Sequence, residues 1–108
     1  MYQIVYYSDE VYENIENWPD KIAASYTRIT DRMVENGPNL GMPYTEAIGD
    51  GLFEIIARGK EGIGRAFFCT LIGQRIVVLH AFIKKSQKTP KKELELARKR
   101  MKEVKENV

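Results

Sequence analysis

The chain has 108 residues, 44% of them hydrophobic and 30% charged, a size that supports one domain (expected over residues 1–108) and a composition that excludes a disordered chain. No apolar run approaches the roughly 20 residues that span a bilayer. The N-terminus lacks a signal peptide's basic stretch, and the lone cysteine, Cys69, excludes an intrachain disulfide, so a cytoplasmic protein with no membrane contact is expected. The net charge of +2 hides an asymmetry: residues 1–57 carry 3 Lys/Arg against 10 Asp/Glu, and residues 58–108 carry 14 against 5. Such a split reads either as a basic face awaiting a polyanion or as a Lys-rich helix that keeps the protein soluble.

In chain order, residues 2–8 are rich in β-branched and aromatic side chains and read as a strand. Val11, Tyr12, Ile15 and Trp18 follow at helical spacing. Pro19 suits the first turn of a second helix, whose apolar stripe is Ile22, Tyr26, Ile29 and Met33. Asn36-Gly37-Pro38 stops it, because glycine takes the left-handed cap and proline cannot continue the helix. Residues 37–51 hold four of the eight glycines and two of the four prolines and read as a loop. Three strands are expected next, at residues 52–58, 64–72 and 75–85, the last two joined by a Gly73-Gln74 turn. Thr89 reads as an N-cap and Pro90 as the first position of a final helix with the stripe Leu94, Ala97, Met101 and Val104. The order βααβββα predicts an α+β fold: a mainly antiparallel four-stranded sheet with N-terminal helices and a C-terminal helix, the helices on one face.

Strand side chains alternate between faces. Ile55, Ala57, Ala66, Phe68, Val77, Leu79 and Ala81 belong to the face expected to carry the helices. Glu54, Arg58, Arg65, Phe67, His80, Phe82 and Lys84 belong to the other. If Ile72 pairs with Arg75, Arg65 lies opposite Phe82 and Phe67 opposite His80; a loop closing Arg58 on Arg65 brings Arg58 into the same row. Cations around exposed rings are what an RNA site needs. Guanidinium groups pair with phosphate oxygens, rings stack on splayed bases, and the cations stabilise charge that develops on phosphorus. Charged residues on a solvent-facing sheet also serve solubility alone, and the pattern by itself leaves both readings open.

His80 is the only histidine and serves either as an acid or base near neutral pH or as a structural residue. With one cysteine it makes no zinc site, and no metal or other cofactor is expected. Glu54 reads as a carboxylate that holds a nearby cation in place, and Cys69 as a small buried hydrophobe. Lys91, Lys92, Arg98, Lys99 and Lys102 read as a solvated helix face able to meet ribosomal RNA.

The runs Gly51-Leu52-Phe53-Glu54-Ile55, Gly64-Arg65-Ala66-Phe67 and 76–90, followed by a helix with Ala97 and Arg100, resemble the RelE/ParE toxin superfamily, most closely its HigB-like, phage-derived branch. The stretch from His80 to Pro90 carries the most specific match, and the resemblance extends over nearly the whole chain. It implies the toxin of a type II toxin–antitoxin pair. Such toxins cut messenger RNA on the ribosome without a metal, through attack of a ribose 2′-hydroxyl on the adjacent phosphate, and a cognate antitoxin, often of helix-turn-helix type, covers them. Position by position, Arg65 matches the arginine that contacts the scissile phosphate, Arg58 a common basic position, and Lys84 and Lys85 the basic pair closing the last strand. The candidates are therefore Arg58, Arg65, Lys84 and Lys85 for catalysis, and Phe67, His80, Phe82, Lys88, Lys91 and Lys92 for RNA contact.

The sequence also departs from the family pattern. Gly64 stands where many relatives have tyrosine, Glu54 and Ile56 stand where many have lysine, and nothing matches a catalytic tyrosine near the last helix. His80 lies too early to inherit the C-terminal histidine of some HigB types. The general base is thus unassigned. Two alternatives are a ParE-like inhibitor of DNA gyrase and a degenerate member that only binds an antitoxin.

Overall fold

The computed structural model describes residues 1–84 and 90–107. Its elements are β1 (Gln3–Tyr6), α1 (Asp9–Glu16), α2 (Asp20–Asn36), β2 (Thr45–Gly49), β3 (Leu52–Gly59), β4 (Gly62–Leu71), β5 (Arg75–Lys84) and α3 (Lys91–Glu106). Ser8 starts α1, its side chain accepting a hydrogen bond from the Val11 N–H. Gly37 ends α2 with a φ of 100°, a conformation that costs glycine little.

The fold is α+β, with one mixed five-stranded sheet in the order β1-β5-β4-β3-β2. β1 runs parallel to β5, and the other neighbours are antiparallel. This corrects the expected four-stranded sheet. The added strand, β2, lies inside residues 37–51: Thr45, Glu46 and Ala47 pair with Ile55, Glu54 and Phe53. The glycines there mark its flanks, with positive φ at Gly41, Gly49 and Gly51, and the stretch between them is too short for alternation to announce a strand.

The helices occupy both faces rather than one. Val11, Ile15, Ile22, Tyr26, Ile29 and Met33 of α1 and α2 pack on Ile55, Ala57, Ala66 and Phe68, each large side chain contributing about 1.5–3 kcal/mol when fully buried. On the opposite face, Ala97 and Met101 of α3 pack with Leu52, Phe67, Cys69, Val77 and Leu79. Gly64 faces α1 and α2: a Cβ there would approach the Trp18 ring to 2.6 Å and Ile22 Cγ2 to 2.7 Å. Trp18 and Ile22 fill the space that a larger residue would need.

A β-bulge explains why Val77 and Leu79 lie under α3 and not under α1 and α2. Near the turn the register is Leu71 with Arg75 and Phe68 with Val78; beyond it Phe67 pairs with His80 and Arg65 with Phe82. Leu79 is the extra residue, and it reverses the alternation of the strand below it. The expected pairing of Ile72 with Arg75 is corrected as well, because Ile72 sits in the turn, 91% exposed. The turn and the bulge each displace the register by one residue and cancel, so Arg65 faces Phe82 as the alternation predicts.

Candidate functional site

The first hairpin turn is tighter than expected. Gly59 pairs with Gly62, which places Arg58 across from Ile63 and Arg65 across from Ile56. Arg58 and Arg65 still share a face, two residues apart in register rather than in one row. That face presents three successive rows across β3, β4 and β5: Arg58, Ile63 and Lys84; then Ile56, Arg65 and Phe82; then Glu54, Phe67 and His80. The acidic helix α1, with Asp9, Glu10, Glu13 and Glu16 and no Lys or Arg, lies on the other face.

Arg65 is held by Glu54. Its Nη1 donates to Glu54 Oε1 in an ion pair whose carboxylate is 1% exposed. Among the described residues, Glu54 Oε2 and Arg65 Nε are buried without a hydrogen-bond partner. Burial pushes the Glu54 carboxyl above its ordinary value, and Arg65 opposes that shift. The sequence expectation that Glu54 holds a cation is met. Arg65 thus sits in a fixed orientation at the edge of the apolar interior, where charge is poorly screened.

Arg58 is exposed and donates from Nη1 to the Pro43 carbonyl at 2.6 Å. Lys84 is buried, and burial together with the like charge of Arg65 lowers its ammonium below the ordinary value. Phe82 is half-buried, while Phe67 is fully buried. The expectation that the Phe67 ring offers a stacking surface is therefore corrected: it lies in the α3 cluster against Leu79 and Ala97. Lys85 and Lys88 lie outside the described residues. Lys91 and Lys92 are exposed on the first turn of α3, Lys91 within 3.9 Å of Glu95.

His80 brings that first turn to the sheet. Its Nε2 lies 2.6 Å from Glu93 Oε2, and its ring stacks on Phe82 with centroids 5.8 Å apart. His80 also lines a surface cleft with Glu10, Val11, Asn14, Ala81 and Arg100. Arg100 donates to the Leu79 carbonyl at 2.8 Å and lies over the Tyr7 ring at 4.6 Å, and Tyr7 donates to Glu103. Sequence reasoning missed Glu93 and Arg100 as neighbours of His80, because they meet it through α3 folding back on the sheet and not through any local spacing.

The sequence profile described as phage derived protein Gp49-like (DUF891) matches residues 13–102. The chain belongs to this family. The Gp49-like family is RelE/toxin-like, and the match spans Arg58, Arg65, His80, Lys84 and Glu93. No curated protein matches the chain. Among the described residues of this Gp49-like chain, no helix is long and apolar enough to cross a membrane.

Proposed function

We propose that this Gp49-like chain is the HigB-like toxin of a toxin–antitoxin pair, and that it is a ribonuclease. It cuts messenger RNA on the ribosome through attack of a ribose 2′-hydroxyl on the adjacent phosphate. The observation that supports this most is the shared face of Arg58, Arg65 and Lys84, with the Phe82 ring directly across from Arg65. Three cations on one rigid sheet face suit a phosphodiester, and the Glu54 pair fixes Arg65 before substrate arrives, which lowers the cost of binding. Phe82 is the ring left to stack on a base. Lys91 and Lys92 extend the cationic surface toward ribosomal RNA. The acidic helix α1 lies on the opposite face, away from the RNA, and the antitoxin is a protein partner that blocks the toxin.

Induction of the chain in cells, with the 5′ ends of cellular messenger RNA mapped by primer extension, tests the reading. Growth arrest with new ends inside translated codons supports it. Arrest with intact messenger RNA and blocked DNA supercoiling points to a gyrase inhibitor, and no arrest points to a member that only binds its antitoxin.

A further inference from the structure

The ribonuclease reading leaves one requirement unfilled: a group to take the proton from the attacking hydroxyl. Arginine stays protonated at every relevant pH, so Arg58 and Arg65 cannot do this. The Glu54 carboxylate is spent on Arg65 and is closed off from the surface. His80 differs from both. Glu93 holds Nε2 at 2.6 Å, which leaves Nδ1 as the ring nitrogen not engaged by that carboxylate. With Nε2–H donated to Glu93, the neutral ring carries its lone pair on Nδ1. Phe82 stacks on one side of the ring and fixes its plane. His80 is the diagonal neighbour of Arg65, since Arg65 pairs with Phe82 two residues further along β5. Diagonal neighbours lie about 7–8 Å apart, a span that one nucleotide bridges with its phosphate on the arginine and its ribose at the histidine.

We infer that His80 is the catalytic base of the cleavage and that Glu93 is its positioning residue. The inference rests on the ribonuclease reading above. Nδ1 takes the 2′-hydroxyl proton as the 2′-oxygen bonds to phosphorus. The bond from phosphorus to the 5′-oxygen breaks, and that oxygen leaves with the electron pair and takes a proton from solvent. The products are a 2′,3′-cyclic phosphate and a 5′-hydroxyl, and the imidazolium returns its proton to water. Among the described residues, Glu93 and Arg100 from α3 and Glu10 from α1 share the contact or the cleft of the ring, Glu54 from β3 lies in its row, and Arg65 from β4 lies diagonal to it.

The test is single-turnover cleavage of a defined messenger RNA on translating ribosomes by the full chain, from about pH 5.5 to pH 8. Wild type should lose activity on the acidic side as its base becomes protonated. His80→Gln should cleave about 10²- to 10⁴-fold more slowly and lose that acidic limb. Glu93→Ala should cleave more slowly while RNA binding is unchanged, because the ring loses the carboxylate that holds Nε2 and sets its orientation. A purely structural His80–Glu93 contact would alter stability and leave the limb in place. A folded His80→Gln that keeps the wild-type rate or limb overturns the assignment while the ribonuclease reading stands. If His80→Gln does not fold, a folded Glu93→Ala that cleaves at the wild-type rate overturns it equally. No cleavage by wild type, with Arg65→Lys equally silent, overturns both.

Discussion

Arg65 on β4 and Glu54 on β3 form a buried ion pair on the sheet face that carries the cations. The carboxylate neutralises part of the arginine's charge and fixes its orientation. Breaking such a pair leaves a charge without a partner in a dry setting. Arg65→Ala should therefore destabilise the fold by about 3–5 kcal/mol, measurable by urea unfolding. Replacing both residues with leucine should recover most of that loss while leaving messenger RNA uncut. A double variant as unstable as Arg65→Ala would show that the pair does more than neutralise itself.

The same carboxylate has a signature in pH. Burial raises Glu54 above its ordinary value in the folded state, so the folded chain binds that proton more tightly than the unfolded chain. This group therefore adds stability as pH falls through its raised value, and the gain levels off below the ordinary carboxylate range. Urea unfolding of wild type and Glu54→Gln should show wild type gaining relative to the variant between about pH 7 and pH 4. A relative loss over that window would mean that Arg65 outweighs burial.

Phe67 and Phe82 separate packing from recognition. Phe67 is fully buried and Phe82 half-buried. Phe67→Ala should cost about 3–5 kcal/mol of stability, seen in thermal unfolding. Phe82→Ala should cost less stability and weaken RNA binding by the stacking energy of about 1–3 kcal/mol, read by titration with a short single-stranded RNA. Equal stability losses with unchanged RNA binding would remove Phe82 from the interface.

Gly64 reports on the helical face. An added methyl group would meet Trp18 and Ile22 closer than 3 Å, so Gly64→Ala should destabilise by about 1–3 kcal/mol through overpacking. Combined with Trp18→Phe, it should cost less than the sum of the two changes. Strict additivity in urea unfolding would place the strain elsewhere.

Much of this arrangement is legible in the sequence, with failures that share a physical cause. Alternation along β3 and β4 places Glu54, Arg58 and Arg65 on one face correctly, since charged residues there break the apolar pattern. β5 is apolar on both faces from Ile76 to Leu79, so its pattern cannot reveal the bulge at Leu79 or the second apolar cluster under α3. The burial of Phe67 follows from the same omission: α3 covers the half of the face that alternation leaves open. Glu93 reaches His80 only through tertiary folding, and β2 is hidden among glycines. Residues that a local rule constrains are readable; those placed by a bulge or a returning helix are not.

The most direct measurement is the chemistry of the RNA ends. A defined messenger RNA on translating ribosomes, mixed with the full chain, is predicted to break within its codons. The breaks should carry 2′,3′-cyclic phosphate and 5′-hydroxyl ends, with the yield falling sharply for Arg58→Ala and Arg65→Lys. Intact messenger RNA in the presence of chain that arrests growth would contradict the account.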